Sequence, residues 1–244
     1  MKIYKYRTLC TPDGQTFERM YQIILQNTFW CARPDSLNDK DEFIFRYDYT
    51  VNASTRRLLP KILSRYHNTP ADRAALIASS ITAAQLENIA RPVVDDIIGK
   101  CRKEIGLVCF SLSKNDVTLW KRYGGCGNGL CIEIDVPDAF IQNGTLHKVD
   151  YVAEKVWRIN SLFESALSKP YVSYKKMLLT KTAYWEPENE VRFVSKRQDV
   201  PVTFREAVVT EIVFGGRVCH PVASGIKATV SGHSGTRSIK FSEA

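Results

Sequence analysis

The sequence predicts an α+β fold, on three observations. Strand-like runs fill much of the first 49 residues and return from Gly106 onward. Helix signals are concentrated between them, over residues 54–105. Strands and helices therefore come in blocks and do not alternate regularly, which separates this pattern from a parallel α/β arrangement.

The elements follow in order. Ile3–Leu9 alternates in polarity and is rich in β-prone side chains, so it reads as the first strand. Phe17, Met20, Tyr21, Ile24 and Leu25 recur at helical spacing. Thr28–Ala32 is a short aromatic strand, a polar loop runs from Pro34 to Glu42, and Phe43–Tyr49 has strand character again. In the central block, Thr69-Pro70-Ala71-Asp72 offers an N-cap, a first-turn proline and an acid, and Thr82-Ala83-Ala84-Gln85 is a capping box. Two or three helices are expected there, with Pro92 interrupting or starting one of them.

Leu107–Leu112 is a near-continuous apolar run, as in a central strand. Asp116–Tyr123 reads as a short helix carrying Trp120 and Tyr123. The turn Gly124–Gly129 leads into strand Leu130–Ile134, and Thr145–Val152 is a further strand. Lys155–Leu179 is mostly helical with a break near Pro170. Glu190–Val194, Ala207–Phe214 and Ser238–Phe241 are the last strands, with a helix over His220–Val230. Neither an internal repeat nor a domain linker is visible. The chain 1–244 therefore reads as one domain with a helical insertion at 54–105.

Composition narrows the classes. Hydrophobic residues make up 44% of the 244 residues and charged residues 25%, which excludes disorder as the main state. No apolar run approaches the roughly 18 residues of a membrane span. Met1–Arg7 lacks the apolar core of a secretion signal, so a cytoplasmic chain without membrane association is expected. The net charge of +8 permits a nucleic-acid or phosphate-rich partner without demanding one. The seven cysteines, Cys10, Cys31, Cys101, Cys109, Cys126, Cys131 and Cys219, show neither CxxC nor zinc-finger spacing. No metal is expected; Cys109 and Cys131, inside apolar runs, read as small buried hydrophobes in a reducing compartment.

Four segments carry candidate chemistry. The glycine cluster Gly124–Gly129 is neither a P-loop nor a dinucleotide fingerprint and follows a helix instead of a strand; it is either a tight turn or a lip over a ligand. The loop Asn38-Asp39-Lys40-Asp41-Glu42 either holds a metal or a ribose, or makes ordinary capped turns. Glu188 and Glu190 run into a strand, where alternation puts them on one face. There they either pair with Arg192 or Lys181 or line a polar cleft, because unpaired buried carboxylates are costly. Ser111 and Ser113 share a face at a strand end but lack a nucleophile-elbow context, and the four histidines form no local motif, so a serine hydrolase is not supported.

Taken in order, these segments resemble a bacterial family catalogued as domain of unknown function 2971. The carriers are Tyr4-Lys5-Tyr6-Arg7, Trp30 through Pro34 with Leu37-Asn38-Asp39 and Glu42, Cys109-Phe110-Ser111 with Leu119-Trp120 and Tyr123, Gly129-Leu130-Cys131-Ile132-Glu133, and Lys181, Trp185, Glu188, Glu190 and Arg192. Lys40 stands where that family often has proline. A cation on the first strand, a central serine strand and a late Glu-x-Glu strand are, in addition, similar to mono-ADP-ribosyltransferases. That resemblance implies a mixed, mostly antiparallel β core and NAD as substrate. It implies Glu190 as the catalytic glutamate with Glu188 beside it. It also implies Tyr6, Arg7, Ser111, Trp120 and Tyr123 around the dinucleotide, with Asn38, Asp39 and Trp185 on the substrate. The acceptor would be a protein, a nucleic acid or, in an NAD glycohydrolase, water. The setting would be antiphage defence or toxicity, with an antitoxin or defence-system partner. Two alternatives stand beside it. One is a non-catalytic module that binds nucleic acid or a phage component through the stretch from Tyr171 to Trp185. The other is a metal-dependent nuclease using Asp39, Asp41, Glu42 and Glu133.

Overall fold

The computed structural model describes residues 1–9, 15–168, 170–236 and 238–244, with the side chains of residues 15 and 170–173 left out of the description. Cys10 therefore lies outside the described residues, as do the side chains of Tyr171, Val172 and Ser173 in the aromatic and basic stretch. The chain opens with β1 (Lys2–Thr8), α1 (Gln15–Gln26), β2 (Thr28–Cys31) and β3 (Arg46–Asp48). Three helices follow: α2 (Ala53–His67), α3 (Ala71–Ser80) and α4 (Ala83–Glu104). Next come β4 (Gly106–Ser111), α5 (Val117–Arg122), β5 (Gly129–Asp135) and α6 (Ala139–Gln142). Three short strands, β6 (His147–Lys148), β7 (Asp150–Val152) and β8 (Val156–Arg158), precede α7 (Ile159–Ser168) and α8 (Pro170–Leu178). The chain ends with β9 (Thr180–Thr182), β10 (Glu190–Ser195), β11 (Val200–Thr203), β12 (Val208–Phe214), α9 (His220–Gly232) and β13 (Lys240–Glu243).

These elements fall into two units. The first comprises Met1–Ala32, Gly106–Val149 and Tyr184–Ala244. Its seven-stranded sheet has the order β13-β12-β5-β1-β4-β10-β6, and every pair except β12–β13 is antiparallel. The mostly antiparallel α+β core expected from the sequence is what the sheet shows. Alternation sorts the side chains. Ile3, Val108, Phe110, Leu130, Ile132, Ile134, Val191, Ile212 and Phe214 share one core with Met20, Ile23 and Ile24 of α1 and Ile226 and Val230 of α9. Phe29 anchors that core, with its ring 5.1 Å from Phe110 and 5.1 Å from Phe204. Each such side chain contributes about 1.5–3 kcal/mol on full burial. Tyr4, Tyr6, Cys131 and Val213 pack instead with Leu119 of α5.

The centre of this sheet is open on one side. β1 pairs with β5 along its whole length, from Lys2 opposite Asp135 to Thr8 opposite Gly129. It meets β4 at one position, Tyr4 opposite Ser111. Beyond it, β4 turns to another partner, and Leu107 and Ala32 exchange backbone hydrogen bonds of 2.8 Å each. Lys5 reaches across the opening and donates from Nζ to the carbonyl oxygen of Cys109 at 2.7 Å.

The second unit comprises Arg33–Ile105 and Asp150–Ala183, so residues 54–105 sit in it together with flanking segments. The Thr82–Gln85 capping box forms as the sequence predicts. Pro92 neither starts nor breaks a helix: α4 runs through it, as α2 runs through Pro60. Long helices packed on one side tolerate the missing N–H at the cost of one backbone hydrogen bond. Pro70, and not Thr69, is the N-cap of α3, so the helix starts one residue later than expected. Thr145–Val152 is not one strand but two. β6 pairs with β10, whereas β7 runs parallel to β9, and Val149 between them donates to the carbonyl of Glu190. Lys155 is buried beneath Phe45, 4.7 Å from its ring centre, and its ammonium donates to the carbonyls of Asp41 and Glu42. No helix among the described residues is long and apolar enough to cross a membrane.

Candidate active site

The strand registers of the first unit align one polar row across five neighbouring strands. Glu211 of β12 lies opposite Glu133 of β5, Glu133 opposite Tyr4 of β1, Tyr4 opposite Ser111 of β4, and Ser111 opposite Glu190 of β10. All five residues are buried. Such a row is expensive unless each group is hydrogen-bonded, and both ends meet that condition.

At the β10 end, Glu190 opens the strand and Arg192 stands two residues on, on the same face. Arg192 donates from Nε to Oε1 at 2.8 Å and from Nη2 to Oε2 at 3.1 Å. The guanidinium is 1% exposed, so this is a buried bidentate pair. Of the two outcomes open for Glu190, pairing with Arg192 is the one that forms. Arg192 lies opposite Cys109, whose thiol is pushed up to about 12 by burial first and the Glu190 charge second.

Glu188 is not on the strand. It ends a 3-10 turn, Ala183–Glu188, and Asn189 at φ +42° reverses the chain before β10 begins. The expectation that alternation places Glu188 and Glu190 on one strand face is therefore corrected: Pro187 favours the turn, and the left-handed asparagine breaks the period. Glu188 is nevertheless buried, and its Oε1 accepts the Tyr123 hydroxyl at 2.6 Å and Arg122 Nη1 at 3.3 Å. Burial, then the charges of Glu188 and Glu190, push the Tyr123 phenol well above its ordinary range, so it stays a donor. Ser111 holds the turn from below, donating to the carbonyl of Glu188 at 2.7 Å and accepting from the Ser113 N–H at 2.9 Å. Arg122 stacks on Trp185 at 4.4 Å and on Tyr184 at 4.9 Å.

Tyr6 and Trp120 pack edge to face at 5.3 Å. Tyr6 donates its hydroxyl to the Ser113 carbonyl at 3.2 Å and accepts from the Asp116 N–H at 3.4 Å, while Trp120 Nε1 is buried with no hydrogen-bond partner. Arg7 lies opposite Leu130, and alternation along β1 assigns it to the face opposite Tyr4 and Tyr6. Lys5 was not singled out by the sequence. Burial lowers the basicity of its ammonium, as does the nearby Arg7, while Glu190 opposes the shift. Alternation thus sets Arg7 on the other face of the sheet from Ser111 and Glu190.

At the other end of the row, Lys114 bridges Glu211 at 2.6 Å and Glu133 at 3.4 Å. Lys2 also pairs with Glu133, Thr210 donates to it at 2.8 Å, and Ser242 donates to Glu211 at 2.6 Å. The glycine cluster is a tight turn. Gly125 and Gly127 have φ of +59° and +89°, and a Cβ at Gly129 would sit 2.2 Å from the carbonyl oxygen of Arg7.

Asn38 and Asp39 belong to the second unit. Asn38 is exposed; Asp39 is buried and accepts the Asp41 N–H at 2.9 Å, which is the capped-turn alternative for that loop. Among the described residues no group of three His, Cys, Asp or Glu side chains is placed to hold a metal ion. Compared with known proteins, the chain matches no family model, no curated protein and no solved structure.

Proposed function

We propose that the first unit carries an ADP-ribosyltransferase-like active site that consumes NAD, with defence or toxicity as its biological setting. The observation that carries the reading is the pair of buried carboxylates, Glu188 and Glu190, each held by its own arginine, with Tyr123 as a further donor to Glu188. In the reaction the bond between nicotinamide and ribose C1′ breaks. Nicotinamide leaves as a neutral molecule with the bonding electron pair, and positive charge develops on the ribose. Glu190 accepts the ribose 2′-OH, and that interaction strengthens as the charge grows. Arg192 orients Glu190, and Glu188 beside it, held by Tyr123 and Arg122, receives the proton that the attacking acceptor loses. Ser111 fixes the turn that carries Glu188 and stands opposite Glu190, while Arg7, on the other face of β1, takes no part in this site.

The test is nicotinamide release from NAD by the purified chain, with cell lysate supplying acceptors. Turnover by the wild type that falls on the order of 10²-fold or more in Glu190→Gln supports the reading. Full activity of Glu190→Gln, or no nicotinamide from the wild type under any acceptor, rejects it.

A further inference from the structure

Tyr184 is 70% exposed, yet its ring has two partners. Trp185 packs against it edge to face at 5.3 Å and 86°, and the Arg122 guanidinium lies 4.9 Å from its centre. That same guanidinium reaches Glu188 at 3.3 Å. A wet aromatic ring is thus held in place one guanidinium away from the carboxylate pair. A flat, exposed ring backed by a cation suits a planar π partner.

We infer that Tyr184 is a stacking platform for a nucleobase, and that the acceptor of the proposed transfer is a single-stranded nucleic acid. The acceptor role rests on the function proposed above; base stacking does not. Every base has a π-face, so aromatic platforms serve single strands without sequence preference, whereas a duplex hides those faces. The chain's net charge of +8 draws a polyanion to it. Glu186, exposed on the same turn, repels a phosphate placed beside it, so the base and not the backbone is the docking group here. In the transfer, a base nitrogen forms the new bond to ribose C1′ with its lone pair as nicotinamide departs, and its proton passes to Glu188.

The experiment measures fluorescence anisotropy of labelled 12-nucleotide single-stranded DNA and RNA, and of the matching duplex, with the full chain and no NAD. Single strands are expected to bind more tightly than duplex. Tyr184→Ala should weaken that binding about 5- to 150-fold, and Tyr184→Phe should keep it. Equal affinity of Tyr184→Ala and wild type overturns the platform, as does tighter binding of duplex. Nicotinamide release by the wild type without strand binding rejects the platform and leaves the function standing. Tyr184-dependent strand binding without nicotinamide release rejects the function and leaves the platform.

Discussion

Ser111 stands opposite Glu190 in the β4–β10 ladder and donates its hydroxyl to the carbonyl of Glu188 at 2.7 Å, so one small side chain ties both acids to the central strand. Ser111→Ala leaves that buried carbonyl short of a donor. The expected loss is about 1–3 kcal/mol of stability, seen as a lower urea midpoint at unchanged slope. Nicotinamide release should fall with it, because the turn carrying Glu188 loosens. Ser111→Ala with wild-type stability would show that the hydroxyl does not fix the turn.

Arg192 and Glu190 form a buried bidentate pair, and removing one partner takes from the other the charge that faces it. Arg192→Met is expected to destabilise the chain by about 3–5 kcal/mol. The double variant Arg192→Met with Glu190→Gln should recover a large part of that loss, because neither residue is then ionised. Thermal unfolding of the two single variants and the double variant closes the cycle. Additive losses would mean that the two side chains act independently.

The strands were legible from residue types because alternation and apolar runs are local. Leu107–Leu112 reads as a central strand and Leu130–Ile134 as a strand, and β4 and β5 occupy those positions. The opening between β1 and β4 was not legible, since it depends on Ala32 capturing Leu107, a contact between residues far apart in the chain. Glu188 was misplaced because an apparent period of two hid a 3-10 turn and the left-handed Asn189. Tyr123 and Arg122 lay in a short helix whose sequence names no partner. Their pairing with Glu188 follows only once the Asp116 cap sets the start of α5, accepting the Leu119 N–H at 3.0 Å. For Lys5 the available signal was a lysine between two tyrosines of the first strand, on the same face as Ile3.

Glu133 and Glu211 predict an acid-sensitive sheet. Burial alone would raise both carboxyls, but donors outweigh it: Lys2, Thr210 and Lys114 at Glu133, and Lys114 and Ser242 at Glu211. Both groups are therefore more acidic folded than unfolded. Their contribution is fully present above the ordinary glutamate value of about 4.3 and is lost as pH falls through the lower folded values. The urea midpoint should drop steeply below about pH 4. Glu133→Gln should flatten that drop at the cost of stability at neutral pH. An unchanged acid limb in Glu133→Gln would remove Glu133 from the cause.

Tyr123→Phe isolates the support of Glu188. The phenol donates a 2.6 Å hydrogen bond to a buried carboxylate, a charge-assisted bond of about 1.5–3 kcal/mol, and Arg122 at 3.3 Å is the longer of the two contacts to the same oxygen. With the hydroxyl gone, Arg122 carries a larger share of Glu188. It is then drawn toward the carboxylate and away from Trp185 and Tyr184, which it now stacks on at 4.4 and 4.9 Å. Two readouts separate this from a simple packing defect. Stability should fall by the amount above, and the tryptophan emission should shift as the guanidinium leaves the Trp185 face. Tyr123→Phe that loses stability with an unchanged emission spectrum would mean that Arg122 does not link the carboxylate to the rings.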